Sequence, residues 1–132
     1  MIEVKLINHA SLLIRANKVG ILTDPWLSGN IFDNGWSLVE EAPLPDSEEY
    51  DYVWVSHEHP DHFAPHIYDG TLIKKSKTIL LQKRDDDKKL KSFFKSRGYT
   101  VVEIPTSGIK INEILLKGGL NKDFDAWLSV SY

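Results

Sequence analysis

Three of the five histidines and one aspartate of this 132-residue chain fall within six positions, His57-Glu58-His59-Pro60-Asp61-His62. Side chains two apart on an extended backbone point to the same side, so strand geometry carried through His57 and His59 lets both imidazoles grip one cation. Pro60 then bends the chain. Asp61 and His62 lie past the bend, where they can address a second cation beside the first. Imidazole nitrogen with carboxylate oxygen suits zinc, iron or manganese, and the cluster is too nitrogen-rich for calcium or magnesium. The chain has no cysteine, which rules out disulfides and thiolate ligands. A metal-free, histidine-rich surface turn is the competing reading. The cluster also follows an apolar run over 52–56, the kind of strand end at which sheet proteins place ligands.

The elements that must position this cluster read as short strands crowded toward the start. Residues 2–7 alternate apolar and polar, 11–16 are mostly apolar, and 19–23 are nearly all apolar, as in a buried strand. Asp24-Pro25 stops that run, because proline cannot continue a hydrogen-bonded ladder. Residues 26–50, rich in aromatics and turn formers, predict a long loop, and loops of that length in compact domains tend to be functional. Beyond the cluster the pattern predicts a strand over 78–81, a helix over 85–97 and strands over 99–104, 109–116 and 124–131. Leu90, Phe93 and Phe94 supply the apolar stripe of the helix, Asp85–Asp87 its acidic start, and Gly98 its left-handed cap. The sum is an α/β protein, a mixed sheet with flanking helices.

Composition narrows the function. A hydrophobic fraction of 42% with four Trp indicates a folded domain, and a net charge of −3 argues against nucleic acid as a partner. No apolar run approaches the ~20 residues of a membrane span, and no secretory leader is visible at Met1. A cytoplasmic protein is the resulting expectation.

The cluster matches the H-x-H-x-D-H signature of the metallo-β-lactamase superfamily. Its context agrees: Asn8-His9-Ala10-Ser11 and then Thr23-Asp24-Pro25-Trp26-Leu27 resemble the opening hairpin of the branch that includes ascorbate lactonases and N-acylphosphatidylethanolamine phospholipases. The runs through Asn34-Gly35-Trp36 and Phe124-Asp125-Ala126-Trp127-Leu128 are similar to the branch of CMP-N-acetylneuraminate hydroxylase. The resemblance implies an αββα sandwich, with residues 1–132 forming roughly its N-terminal half. It also implies that His57 and His59 hold one zinc ion and that Asp61 and His62 hold a second, with iron or manganese as alternatives. Asp61 is then the catalytic residue that orients or deprotonates a metal-activated water attacking an ester, lactone, amide or phosphodiester. An iron-dependent redox enzyme on the same scaffold and an inactive half-domain are the alternatives. The family's third histidine would fall near Asn121, and its bridging aspartate and last histidine beyond Tyr132. That ligand count implies zinc binding by this chain alone no tighter than micromolar, about −8 kcal/mol. It also implies self-association through a sheet face left open on 109–116 and 124–130.

Several further residues carry two readings each. Asp24 either orients a ligand histidine or caps the Asp-Pro turn. His9 either faces the cleft or is structural, and His66 either approaches the site or lies in solvent. Trp26, Phe32 and Trp36 either line a pocket or anchor their loop. Glu58 is expected to point away from the metals.

Overall fold

The computed structural model describes residues 1–120 and 125–132. Six strands form the main sheet in the order β1 (Ile2–Asn8), β2 (Ser11–Ala16), β3 (Val19–Thr23), β4 (Tyr52–Trp54), β5 (Thr78–Gln82) and β6 (Thr100–Ile104). The first three are antiparallel, and β3 to β6 run parallel. Parallel neighbours need crossovers. The crossover between β5 and β6 is the helix α1 (Lys89–Ser96), and the loops after β3 and β4 serve for the others. A second, antiparallel sheet follows, β7 (Ile109–Ile111), β8 (Ile114–Leu120) and β9 (Ala126–Ser131).

Two apolar layers follow from the alternation of side chains. On one face of the main sheet Leu13, Leu22, Val53 and Ile79 pack with Ile67, Tyr68, Phe94 and Tyr99 from α1 and the loops. On the other face Ala16, Ile21, Trp54, Leu80 and Ile104 meet Ile114 and Leu116 of the second sheet. Helix, sheet and sheet thus stack as in a metallo-β-lactamase-type sandwich, with no helix on the outer face of the second sheet among the described residues. No helix is long and apolar enough to cross a membrane.

Several elements differ from the sequence reading for local reasons. The strand over 52–56 ends at Trp54: Val55 still donates to the Leu80 carbonyl (3.2 Å), but the Ser56 amide turns to the Asp24 carboxylate instead. The helix over 85–97 begins only at Lys89, since Asp87 accepts the Lys89 amide hydrogen (3.0 Å) in a turn that precedes it. The strand over 109–116 is a hairpin, broken where Asn112 takes a left-handed φ of 55° and Ile111 pairs with Ile114. The last strand starts at Ala126, and Phe124 lies outside the described residues.

The sheet face expected to be open on 109–116 and 124–130 is mostly covered: Ile114 and Leu116 are buried, and Ile109, Ile111, Ala126, Leu128 and Val130 pack on the main sheet. On the outer face of the second sheet Trp127 stays exposed, and β1 carries a further row of exposed apolar side chains at Ile2, Val4 and Leu6.

Gly20 is needed where the loop returns, because a Cβ there would stand 2.0 Å from the Glu49 carbonyl oxygen.

The core makes two contrasting predictions. Phe94 is fully buried against Tyr68, Phe93 and Tyr99, so Phe94→Ala is expected to lower unfolding free energy by about 3–5 kcal/mol. Tyr68 is equally buried, yet its hydroxyl has no partner among the described residues. Tyr68→Phe therefore removes a desolvated group that forms no hydrogen bond, and stability should hold or rise by up to about 1 kcal/mol. Urea unfolding of both variants checks the pair.

Candidate metal centre

The cluster sits where β3 and β4, hydrogen-bonded parallel neighbours, both end. Thr23 pairs with Trp54, and the Asp24 amide donates to the Trp54 carbonyl (2.8 Å). Asp24 has a left-handed φ of 35°, rare for a residue with a side chain. It is held there by Ser11, whose hydroxyl donates to the Asp24 carbonyl (2.8 Å) and accepts the Trp26 amide hydrogen (3.1 Å). This conformation turns the Asp24 carboxylate toward the loop that leaves β4.

One buried carboxylate then organises the imidazoles. Asp24 Oδ1 accepts the Ser56 amide hydrogen (2.7 Å), and Oδ2 accepts from the Ser56 hydroxyl (2.6 Å) and from His62 Nδ1 (2.8 Å). Having given its hydrogen to Asp24, Ser56 Oγ is left to accept from His57 Nδ1 (2.8 Å). An ionised carboxylate can only accept, so the chain of donors has one direction: His57 and His62 both carry hydrogen on Nδ1 and turn a bare Nε2 outward.

Those nitrogens converge on two sets of donors. His57 Nε2 lies 3.1 Å from His59 Nδ1 and 3.4 Å from Asp125 Oδ1. His62 Nε2 lies 3.4 Å from Asp61 Oδ2, which is itself 3.1 Å from His9 Nε2. Among the described residues, His57, His59 and Asp125 form one group and His9, Asp61 and His62 another, and within each group the potential ligand atoms lie within 4.8 Å of one another. The His57 and His62 rings, 4.3 Å apart between centroids, join the two groups. Two imidazoles and one carboxylate in each group make a donor set suited to zinc, iron or manganese.

The sequence reading placed His57, His59, Asp61 and His62 together, and the structure brings all four to this corner. They do so without strand geometry beyond Trp54; a turn in which His59 accepts the amide hydrogens of His62 (2.9 Å) and Phe63 (2.8 Å) does the work. Asp125 was missed. It is a carboxylate 66 positions from His59, inside the run over 124–131 read as a strand, and no spacing ties it to the motif. Asn121, the position matched to a third histidine, lies outside the described residues. Trp26 is buried beneath the site, with its indole donating to the Gly29 carbonyl (3.0 Å) and the His9 ring set edge-on to it at 5.3 Å. Phe32 and Trp36 pack on each other at the exposed loop tip. His66 is exposed beside Gly29, and Glu58 is exposed and faces Lys89 (3.7 Å).

An open cleft of about 690 Å³ adjoins the donors. Leu12, Ile14, Trp54, Ala126 and Leu128 make its apolar wall, and Asp24, His57, His59, His62 and Asp125 its polar end. Over residues 3–121 the chain matches the family described as "Beta-lactamase superfamily domain", and it belongs to that family. Cytidine monophosphate-N-acetylneuraminic acid hydroxylase of Asterias rubens is 27% identical over 134 aligned positions, which cover 98% of this chain and 18% of that protein. Among solved structures, a possible metal-dependent hydrolase from Veillonella parvula superposes with a TM-score of 0.67 at 23% identity, covering 87% of this chain and 46% of that one. CmlA, a diiron β-hydroxylase from Streptomyces venezuelae, gives 0.61 at 19% identity over 89% and 23%. The chain thus spans less than a fifth of that curated relative and under half of the hydrolase. The metallo-β-lactamase fold is therefore shared by proteins named for hydrolysis and for hydroxylation.

The local fields separate the two outward-facing histidines. Burial and the neighbouring His62 hold His57 below its usual value of 6.5. The hydrogen bond to Asp24, outweighing burial, raises His62 above 6.5. Burial opposes ionisation of Asp61, but hydrogen bonding to His9 and the nearby His62 prevail and lower it. The signs for stability follow. The His62 contribution is complete below about pH 6.5 and is lost as pH rises through its raised folded value. For His57 the unfolded chain takes up the proton first, so stability falls as pH drops below 6.5. In metal-free protein, NMR titration is expected to show His62 protonating above pH 6.5 and His57 below it. Asp24→Asn should return His62 toward 6.5 and weaken zinc binding about tenfold or more; an unmoved His62 would show that Asp24 does not govern the ring.

Proposed function

We propose that this chain carries the metal-binding half of a metal-dependent hydrolase for a small molecule with an ester, lactone, amide or phosphodiester bond. The observation that carries the reading is the convergence of two imidazole–carboxylate groups at the polar end of an apolar-walled cleft. His57, His59 and Asp125 would hold one cation, and His62 with Asp61 would hold the other. Bound there, zinc, iron or manganese supplies Lewis acidity and makes water a nucleophile near neutral pH.

The chain's own residues do the rest. Asp24, through Ser56, keeps the His57 and His62 lone pairs facing the cleft. Asp61, kept ionised by its histidine neighbours, is the acceptor for the proton of an attacking water and orients it. Leu12, Ile14, Trp54 and Leu128 take the apolar part of a substrate and exclude water from it. Three donors in the first group are enough for a zinc site that keeps a position open for water.

A second reading, oxygen-dependent hydroxylation with iron, is favoured by one observation: similarity along nearly the whole chain to a named hydroxylase. Metal content decides between them. Zinc retained after purification, with slow turnover of a lactone or phosphodiester that a His57→Ala, His59→Ala variant abolishes, supports hydrolysis. Iron with a visible spectrum and no hydrolytic turnover supports the second reading. A chain that takes up neither metal sinks both.

Self-association, where it occurs, would use β1, an edge strand with Ile2, Val4 and Leu6 exposed. Sedimentation showing only a 15.1 kDa species at high concentration would exclude it.

A further inference from the structure

His9 stands 52 positions from Asp61 in sequence, yet its Nε2 lies 3.1 Å from Asp61 Oδ2. That same oxygen is 3.4 Å from His62 Nε2, and the three potential ligand atoms lie within 4.8 Å of one another. His62 has already committed its other nitrogen to Asp24, so its Nε2 is free to share a cation with the Asp61 oxygen.

The turn that carries His9 is built to aim it. The β1–β2 ladder shifts register between Leu6 and Asn8, and His9 takes a left-handed φ of 47°. Such a conformation in a residue with a side chain costs on the order of 1–3 kcal/mol and persists only where the surroundings impose it. Here they do: Asn8 Nδ2 donates to the Glu40 carbonyl (2.7 Å), and the His9 ring packs edge-on against buried Trp26. A turn residue needed only to reverse the chain would be met by glycine or asparagine without an imidazole.

We propose that His9 is a direct ligand of the second cation, completing with Asp61 and His62 a set of two imidazoles and one carboxylate that mirrors His57, His59 and Asp125. This rests on the metal-binding reading above. It assigns the β1–β2 turn a part in the site and gives the second position a third donor. The competing role for His9 is to brace Asp61 by a hydrogen bond. Bracing and ligation both weaken metal binding when lost, so affinity alone does not separate them.

The test uses the whole chain, stripped of metal and titrated with Co²⁺, with bound metal counted and visible absorption followed. Wild-type protein is expected to bind two equivalents. His9→Ala should lose the second equivalent, at least tenfold in affinity, and keep the first. His9→Gln, which retains an N–H donor toward Asp61, should behave like His9→Ala; recovery of the second equivalent by Gln would mean bracing and overturn the proposal. His9→Cys places a thiolate at the same position, and loading its second site should produce a thiolate-to-cobalt charge-transfer band absent from wild type. Two equivalents bound by folded His9→Cys without that band would also overturn it. Failure of the underlying reading looks different: wild-type chain would then bind no cobalt, and both claims would fall together. Because the His9 side chain is about a third exposed (35%), the variants should fold, and circular dichroism checks that they do.

Discussion

The site depends on one buried carboxylate. Asp24 accepts three hydrogen bonds, and two of them set the hydrogen positions on His57 and His62, one directly and one through Ser56. An imidazole can present a lone pair from only one nitrogen at a time. Without a fixed acceptor behind them, these two rings would exchange tautomers and rotate. With it, both Nε2 atoms face the same corner, before any cation arrives. The carboxylate also compensates positive charge accumulating nearby, which is why a partly buried His62 is protonated more readily than a free histidine.

That carboxylate reaches its place through the backbone. The β3 and β4 strands end side by side, and the unfavourable φ of Asp24 is offset by hydrogen bonds from the Ser11 hydroxyl and to the Trp54 carbonyl. Parallel strands whose ends open on the same edge create a crevice with free amide and carbonyl groups, the usual place for ligands in such sheets. The second sheet closes one side: Ala126 and Leu128 of β9 wall the cleft, and Asp125 enters it immediately before that strand begins. The apolar contact between the two sheets therefore supplies packing energy and, through β9, a ligand.

Within one family, then, the scaffold sets where cations sit, while the donors and the cleft lining set what they do. The nitrogen-and-oxygen donor set found here is compatible with both hydrolytic and oxidative chemistry. The chain offers no thiolate, and the carboxylates Asp24, Asp61 and Asp125 set negative charge among the imidazoles of the corner.

Much of this was legible in the amino-acid sequence. The H-x-H-x-D-H spacing identified four donors, because residues that close in the chain remain close in any compact fold. Apolar alternation located the strands, and Asp24-Pro25 marked the end of β3. Boundaries were less legible, and each failed for a local reason: Asn112 adopts a left-handed turn inside an apolar run, and Ser56 leaves its strand to bond Asp24. The remaining donors were harder to read for a different reason: His9 carried two readings, and Asp125 was not singled out as a ligand. His9 and Asp125 are single polar residues far from the motif, and nothing in their own surroundings distinguishes a ligand from an ordinary turn residue. Only the pairing of β1 with β2 and the packing of β9 over the main sheet bring them to the same corner, and those are long-range contacts that no local pattern encodes.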